Sequence, residues 1–265
     1  MQLKKRGKSV PSLFVLLPCY NEQQNIEALL VKWQNLADSL VQSGYILRIV
    51  CIDDGSNDHT KKIIQKFTCN SPNITLLLHE ENRGLGEALK TGLKYFNENS
   101  KRGDLALVMD ADNTHEPKYV FSMLETIKNG FDCVIASRYQ TGSSLHGVPS
   151  HRHFFSDGAK IYYSLILRVP NVRDYTCGYR MYSQEIINNA FLAYNDRLIT
   201  QKGFTCMMEL LYKLYTVKAK FAEIPFELHY DYKLGQSKMK LAKTIITSLL
   251  ITIYLRFKYH QKSRH

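Results

Sequence analysis

Short apolar runs alternate with helical periodicity through the first half of this chain. Residues 12–17 form an apolar run closed by Pro18, and Ile26, Leu29, Leu30, Trp33, Leu36, Ala37 and Leu40 then recur at helical spacing within 22–40. Apolar runs at 47–52, 74–78, 105–109 and 131–136 predict further strands. Helices are expected between them at 60–67, at 87–96 and after Pro117, whose missing N–H suits a first helical turn. This order predicts an α/β fold with a doubly wound, mainly parallel sheet flanked by helices and ligand loops along one sheet edge.

Beyond residue 136 the pattern changes. A polar loop with glycine and histidine covers 139–153, long enough in a compact domain to suggest function or mobility. Residues 154–167 are rich in aromatic and aliphatic side chains that could form one helix face, turned either to the core or to an interface. A helix is expected at 203–215, an edge strand at 219–224 and a last amphipathic helix at 241–255. The chain thus divides into a basic tail at 1–11, a main domain at 12–230 and a basic segment with an amphipathic helix at 231–265.

With 265 residues, 45% of them hydrophobic, the chain can bury a substantial core. Its formal net charge of +11 implies an anionic partner but does not choose among nucleic acid, phospholipid and phosphorylated small molecules. Eight lysines and arginines and no acid lie between 233 and 265, and Lys4, Lys5, Arg6 and Lys8 precede the first strand. Such runs are either solvated tails or contacts for a membrane or phosphate. Six scattered cysteines without close spacing predict buried free thiols. The first residues lack a signal-peptide pattern, so a reducing cytoplasmic compartment is expected. Residues 244–255 are uncharged but too few to cross a bilayer.

Candidate chemistry gathers at three strand ends. Asp110-Ala111-Asp112 places two carboxylates at i and i+2, which extended backbone turns to one face, and such a pair suits a hard divalent cation beside a diphosphate. Pro18-Cys19-Tyr20-Asn21-Glu22 and Asp53-Asp54-Gly55-Ser56 follow two other strands, and parallel strands would line all three loops along one cleft. A tyrosine ring there can pack on a nucleobase, and carboxylates can accept from base amines and ribose hydroxyls. Asn82-Arg83-Gly84-Leu85-Gly86 carries two glycines before a helix, which could let backbone approach a phosphate.

In this order and spacing the chain resembles the family 2 glycosyltransferases of GT-A fold, and among them the dolichol-phosphate mannosyltransferase group, over roughly residues 12–240. To the motifs above it adds His115 and Pro117, Ser137-Arg138-Tyr139, Cys177-Gly178-Tyr179-Arg180 and Gly235-Gln236-Ser237-Lys238. The resemblance implies that Pro18, Tyr20, Glu22, Ile52 and Asp54 hold base and ribose, that Asp110 and Ala111 line the nucleotide-sugar, and that Lys238 lies near the donor diphosphate. It makes Asp112 the ligand of a Mg²⁺ or Mn²⁺ ion, assisted by the Thr114 hydroxyl. It assigns Arg138, Arg152 and Ser156 to the acceptor phosphate, a task that suits the guanidinium fork. Tyr232 departs from the pattern, standing where the mannosyltransferases carry an arginine, and Lys233 or Arg180 could supply the missing charge.

The expected activity is metal-dependent, inverting transfer of a hexose, mannose or glucose, from a nucleotide-diphosphate sugar to a polyprenyl phosphate such as dolichyl or undecaprenyl phosphate. A phosphate acceptor needs no strong base, and catalysis would rest on Asp112 and Arg138. Were the acceptor a sugar or protein hydroxyl, Asp174, near Arg173 and Arg180, would be the base, and Arg152→Ala would leave activity largely intact. The basic ends and the aromatic helix would touch an anionic membrane surface, placing a peripheral protein on its cytoplasmic face. A non-catalytic nucleic-acid-binding protein is the alternative that charge alone suggests. The strand-end carboxylates oppose it, and no nucleic acid is expected.

Overall fold

The structure, a computed structural model, describes residues 10–147, 150–232 and 241–259; for 150–157, 232 and 241–246 it gives the backbone alone. Six strands run in one direction: β1 (Ser12–Cys19), β2 (Ile46–Asp54), β3 (Ile74–His79), β4 (Leu105–Val108), β5 (Cys133–Ser137) and β8 (Phe221–Pro225). One strand, β7 (Arg180–Ser183), runs against them between β4 and β5, giving the order β3-β2-β1-β4-β7-β5-β8. A two-stranded sheet pairs β6 (Ser144–His146) with β9 (Glu227–His229). The expected α/β architecture of the GT-A type is present, a mainly parallel sheet flanked by helices.

Helices α1 (Ile26–Asn35), α2 (Ala37–Gln42), α3 (Thr60–Asn70), α4 (Leu85–Asn99) and α5 (Val120–Lys128) connect the first strands, and Pro117 opens a short 3₁₀ turn before α5. The helix expected over 22–40 therefore starts later and breaks at Leu36. The main-chain N–H groups of Asn21, Glu22 and Gln23 are taken by the side chains of Ser56, Thr60 and Asp58, which holds the chain out of helix until Asn25. Trp33 is fully buried, and Phe14 meets Phe96 edge to face with centroids 5.2 Å apart, locking α4 onto β1.

In the second half α6 (Ser150–Leu167) begins four residues earlier than expected, and β6 occupies part of the expected loop. β7 and α7 (Gln184–Tyr194), the latter capped by Ser183 accepting from the Ile186 N–H, were not expected at all. α8 (Cys206–Thr216) follows, then α9 (Leu241–Tyr259), which packs on both α6 and α8. Tyr163 donates to Ser248 Oγ at 2.7 Å and Tyr162 to the Leu249 carbonyl at 3.0 Å, so α6 faces the core with one side while Ile161 and Leu165 stay exposed. No helix among the described residues is long and apolar enough to cross a membrane.

All six cysteines are free, but Cys69, at the end of α3, is exposed and corrects the expectation that every thiol is buried. Burial pushes the Cys133, Cys177 and Cys206 thiols up to about 12, so they act as small core hydrophobes.

Candidate active site

The strand register explains why distant motifs meet. Val108 on β4 and Ile135 on β5 both face Arg180 on β7, while Leu16 on β1 faces Val108. Two residues further along each parallel strand, and two back along β7, one level of the sheet edge holds Ile52, Pro18, Asp110, Gly178 and Ser137. Because β7 is antiparallel, the segment leading into it, 174–179, reaches the same edge as the segments leaving β4 and β5. The antiparallel strand thereby joins a carboxylate half of the cleft to an arginine half.

On the carboxylate half, Asp110, Asp112 and His115 each bring a ligand atom within 4.8 Å of the others. Two carboxylates and an imidazole could hold a divalent cation such as Mg²⁺ or Mn²⁺. Thr114 is nearly buried and donates its hydroxyl to Asp112 Oδ1 at 2.7 Å. Thr114, expected as a ligand, orients Asp112 through this bond, and His115 is a further side chain that could bind a cation here. The spacing Asp112-x-x-His115 was a signal for this in the sequence. Gly178 provides the clearance for Asp110, since a Cβ at Gly178 would lie 3.0 Å from Asp110 Oδ1. Ala111 is buried beneath the pair.

The base-side loops are stitched to each other. Besides the contacts to Ser56, Thr60 and Asp58, the Asn57 N–H donates to Asn21 Oδ1 at 2.9 Å, and Ser56 donates to Asp53. Pro18, Tyr20 and Glu22 remain partly exposed at this edge, with Glu22 accepting from Asn25 at 2.8 Å. Ile52 and Asp54, expected to hold base and ribose, differ from these in being buried. Ile52 is fully buried and packs toward Gly92 of α4. Asp54 is buried and spends its carboxylate on the Arg83 N–H at 3.0 Å, the Gly84 N–H at 2.8 Å and His79 Nδ1 at 2.6 Å. It holds the 82–86 loop in place.

That loop is held from its other side by a carboxylate that sequence reading missed. Gly84 and Gly86 give their clearance to main chain: a Cβ on Gly84 would lie 2.6 Å from the Lys202 carbonyl and one on Gly86 1.7 Å from that of Gln201. No room is left for the expected phosphate approach there. Glu209 on α8, fully buried, fixes this partner segment by accepting from the Thr200 N–H at 2.8 Å, the Thr200 hydroxyl at 2.6 Å, the Gln201 N–H at 2.9 Å and Lys213 Nζ at 2.6 Å.

On the arginine half, Arg138 Nε and Nη2 grip Asp174 at 2.8 and 2.7 Å, and Nη2 also donates to Thr176 at 2.6 Å. The Arg138, Thr176 and Cys177 N–H groups add bonds to the same carboxylate. Burial alone would raise the Asp174 pKa, but the Arg138 charge and these donors overrule it and hold it at about 2. With no exposed surface and that pKa, Asp174 is not a proton acceptor, which corrects its expected fallback role. Glu223 on β8, also unexpected, receives the Arg173 and Asp174 N–H groups at 2.7 Å each and fixes the turn carrying Asp174.

Arg180 is fully buried and donates to the carbonyls of Met207 and Tyr175 at 2.8 Å, so it does not replace the charge missing at Tyr232. Arg152 and Ser156 lie on the backbone of α6 with their side chains outside the described residues, and Lys233 and Lys238 fall outside them altogether.

Comparison with known proteins agrees with this fold. The family model described as glycosyl transferase family 2 matches residues 14–191. A dolichol-phosphate mannosyltransferase of Pyrococcus furiosus is 30% identical over 89% of this chain and 61% of its own, so the chain spans somewhat less than two thirds of that relative. A polyprenol monophosphomannose synthase of Mycolicibacterium smegmatis is 29% identical over 85% of this chain and 80% of its own. Among solved structures, glucosyl-3-phosphoglycerate synthase from Mycobacterium tuberculosis in complex with Mn²⁺ and UDP-glucose superimposes with a TM-score of 0.65 at 18% identity, covering 92% of this chain and 79% of that one.

Proposed function

The chain belongs to glycosyltransferase family 2, and from that premise we propose that it moves a hexose, mannose or glucose, from a nucleotide-diphosphate sugar to a polyprenyl phosphate with inversion at the anomeric carbon. The observation that carries this reading is the position of Arg138 and its Asp174 clamp at one sheet edge with Asp110, Asp112 and His115, across the single strand β7. The names of the Pyrococcus and Mycolicibacterium relatives support a lipid phosphate acceptor.

The chemistry follows from charge and placement. A phosphate monoester, with a second pKa near ~6, is largely dianionic at neutral pH and attacks the anomeric carbon without a base. Its oxygen forms the new bond as the bond to the nucleoside diphosphate breaks, and in-line attack inverts the centre. A divalent cation bound by Asp110, Asp112 and His115 would supply positive charge to the departing diphosphate. Thr114 and Gly178 keep the two carboxylates aimed, and Arg138 aligns the acceptor. A hydroxyl acceptor would need a base, and Asp174, clamped near a pKa of about 2, does not serve.

The protein would work as a peripheral protein on the cytoplasmic face of a membrane, where such lipids reside. Leu250, Tyr254 and Phe257 form an outward stripe of α9 at i, i+4 and i+7, on the helix that also carries Arg256 and Lys258. The deciding experiment incubates purified protein and Mn²⁺ or Mg²⁺ with a panel of nucleotide-sugars and a short-chain polyprenyl phosphate. Sugar transfer abolished by a chelator and restored by the metal is expected; absence of transfer across the panel would reject the proposal.

A further inference from the structure

Arg138 enters its site already paired. The buried Asp174 carboxylate cancels most of its charge, and the Glu223 carboxylate, which accepts from the Arg173 main-chain N–H, lies close by with no ion-pair partner among the described residues. A phosphate monoester carries about −1.5 to −2 at pH 7, so a site built on Arg138 alone would be short of positive charge. A further cation, Lys160 on α6, lies nearby. Its Nζ lies 4.6 Å from the centroid of the Tyr139 ring, and the Arg138 guanidinium carbon lies 5.7 Å from the same ring, so one aromatic ring gathers both cations. Lys160 is partly buried and, among the described residues, forms no ion pair with a carboxylate. In the helix it falls four residues after Ser156 and eight after Arg152, on the same stripe.

We infer that Lys160 is a further binding residue of the acceptor phosphate, giving the site the net positive charge that the Arg138 and Asp174 pair lacks and thereby favouring a dianionic monoester over a monoanionic diester. This rests on the phosphate acceptor proposed above. A lysine fits the role because its ammonium is a compact charge that needs no fixed planar geometry. Tyr139 would hold it in place between turnovers.

The test measures binding of a short-chain prenyl monophosphate and of its methyl diester to the 265-residue protein by calorimetry, without donor. For Lys160→Ala we expect monophosphate affinity to fall about tenfold, as for loss of one charge-assisted contact. The preference for monoester over diester should shrink, with melting temperature and nucleotide-sugar affinity unchanged, and Lys160→Arg should recover most of the binding. Unchanged monophosphate affinity in Lys160→Ala would overturn the inference, as would an equal loss for monoester and diester or a wild-type protein that binds neither. If the wild type binds the monophosphate in a Lys160-dependent way yet transfers no sugar to it, the proposed reaction fails while the anion site stands.

Discussion

Asp174 shows how a residue that looks catalytic in a sequence can be structural in the fold. Its folded pKa of about 2 lies below the ordinary value of 3.8, so the carboxylate contributes stability, about 2 kcal/mol, that is present above pH ~4 and lost as pH falls toward 2. Glu223 works in the opposite sense: burial raises its pKa, so its share is present in acid and fades as pH rises. Asp174→Asn should therefore lose about 3 kcal/mol near pH 7, since it leaves Arg138 unpaired, and should show a flatter stability profile between pH 2 and 4 in urea titrations than the wild type. Gly178→Ala tests the other half of the cleft. Its methyl group would press on the flexible end of Asp110, so the fold should survive while half-maximal activity needs about tenfold more Mn²⁺. An unchanged Mn²⁺ requirement would remove Gly178 from the account. At this scale Pro18, Tyr20, Asp110 and Asp112 could be placed near one sheet edge from the sequence, because each lies at or just beyond the end of an apolar strand run. The sequence could not disclose Asp54, Glu209 or Glu223, because what each carboxylate does is decided by which main-chain N–H groups a distant segment brings to it.

Among the elements, β1, β4 and β5 were legible because each is a continuous apolar run, the expected pattern for a strand covered on both faces. β7 was not, since it has four residues and begins with an arginine, and a buried Arg180 is readable only once Met207 and Tyr175 offer their carbonyls. The 82–86 loop was legible as a glycine turn and misread as a phosphate cradle, because the neighbour that fills its clearance lies more than a hundred residues away in the chain. That contact makes a sharp prediction. Gly86→Ala raises local helix propensity by about 1 kcal/mol, yet its Cβ would collide with the Gln201 carbonyl. A net loss above about 2 kcal/mol in chemical denaturation is expected, and a neutral or stabilising outcome would show that 201–202 can retreat freely.

For the whole molecule, net charge and one exposed stripe bear on where the protein works. Leu250 and Phe257 are 66% and 82% exposed, so replacing both with aspartate should leave the melting temperature nearly unchanged. Co-sedimentation with anionic vesicles should fall about tenfold, and raising the salt concentration should weaken wild-type binding as well. Equal binding by the double variant would move the membrane contact elsewhere. The antiparallel strand also has a consequence for biosynthesis. As the chain leaves the ribosome, β1 to β4 can assemble as soon as they emerge, but β5 finds neither neighbour until Arg180–Ser183 and then Phe221–Pro225 have been made. Through that interval β4 presents a bare edge and β5 an apolar strand with no ladder, the kind of surface that recruits other chains. A nascent chain halted shortly before residue 180 would thus be the species most dependent on chaperones.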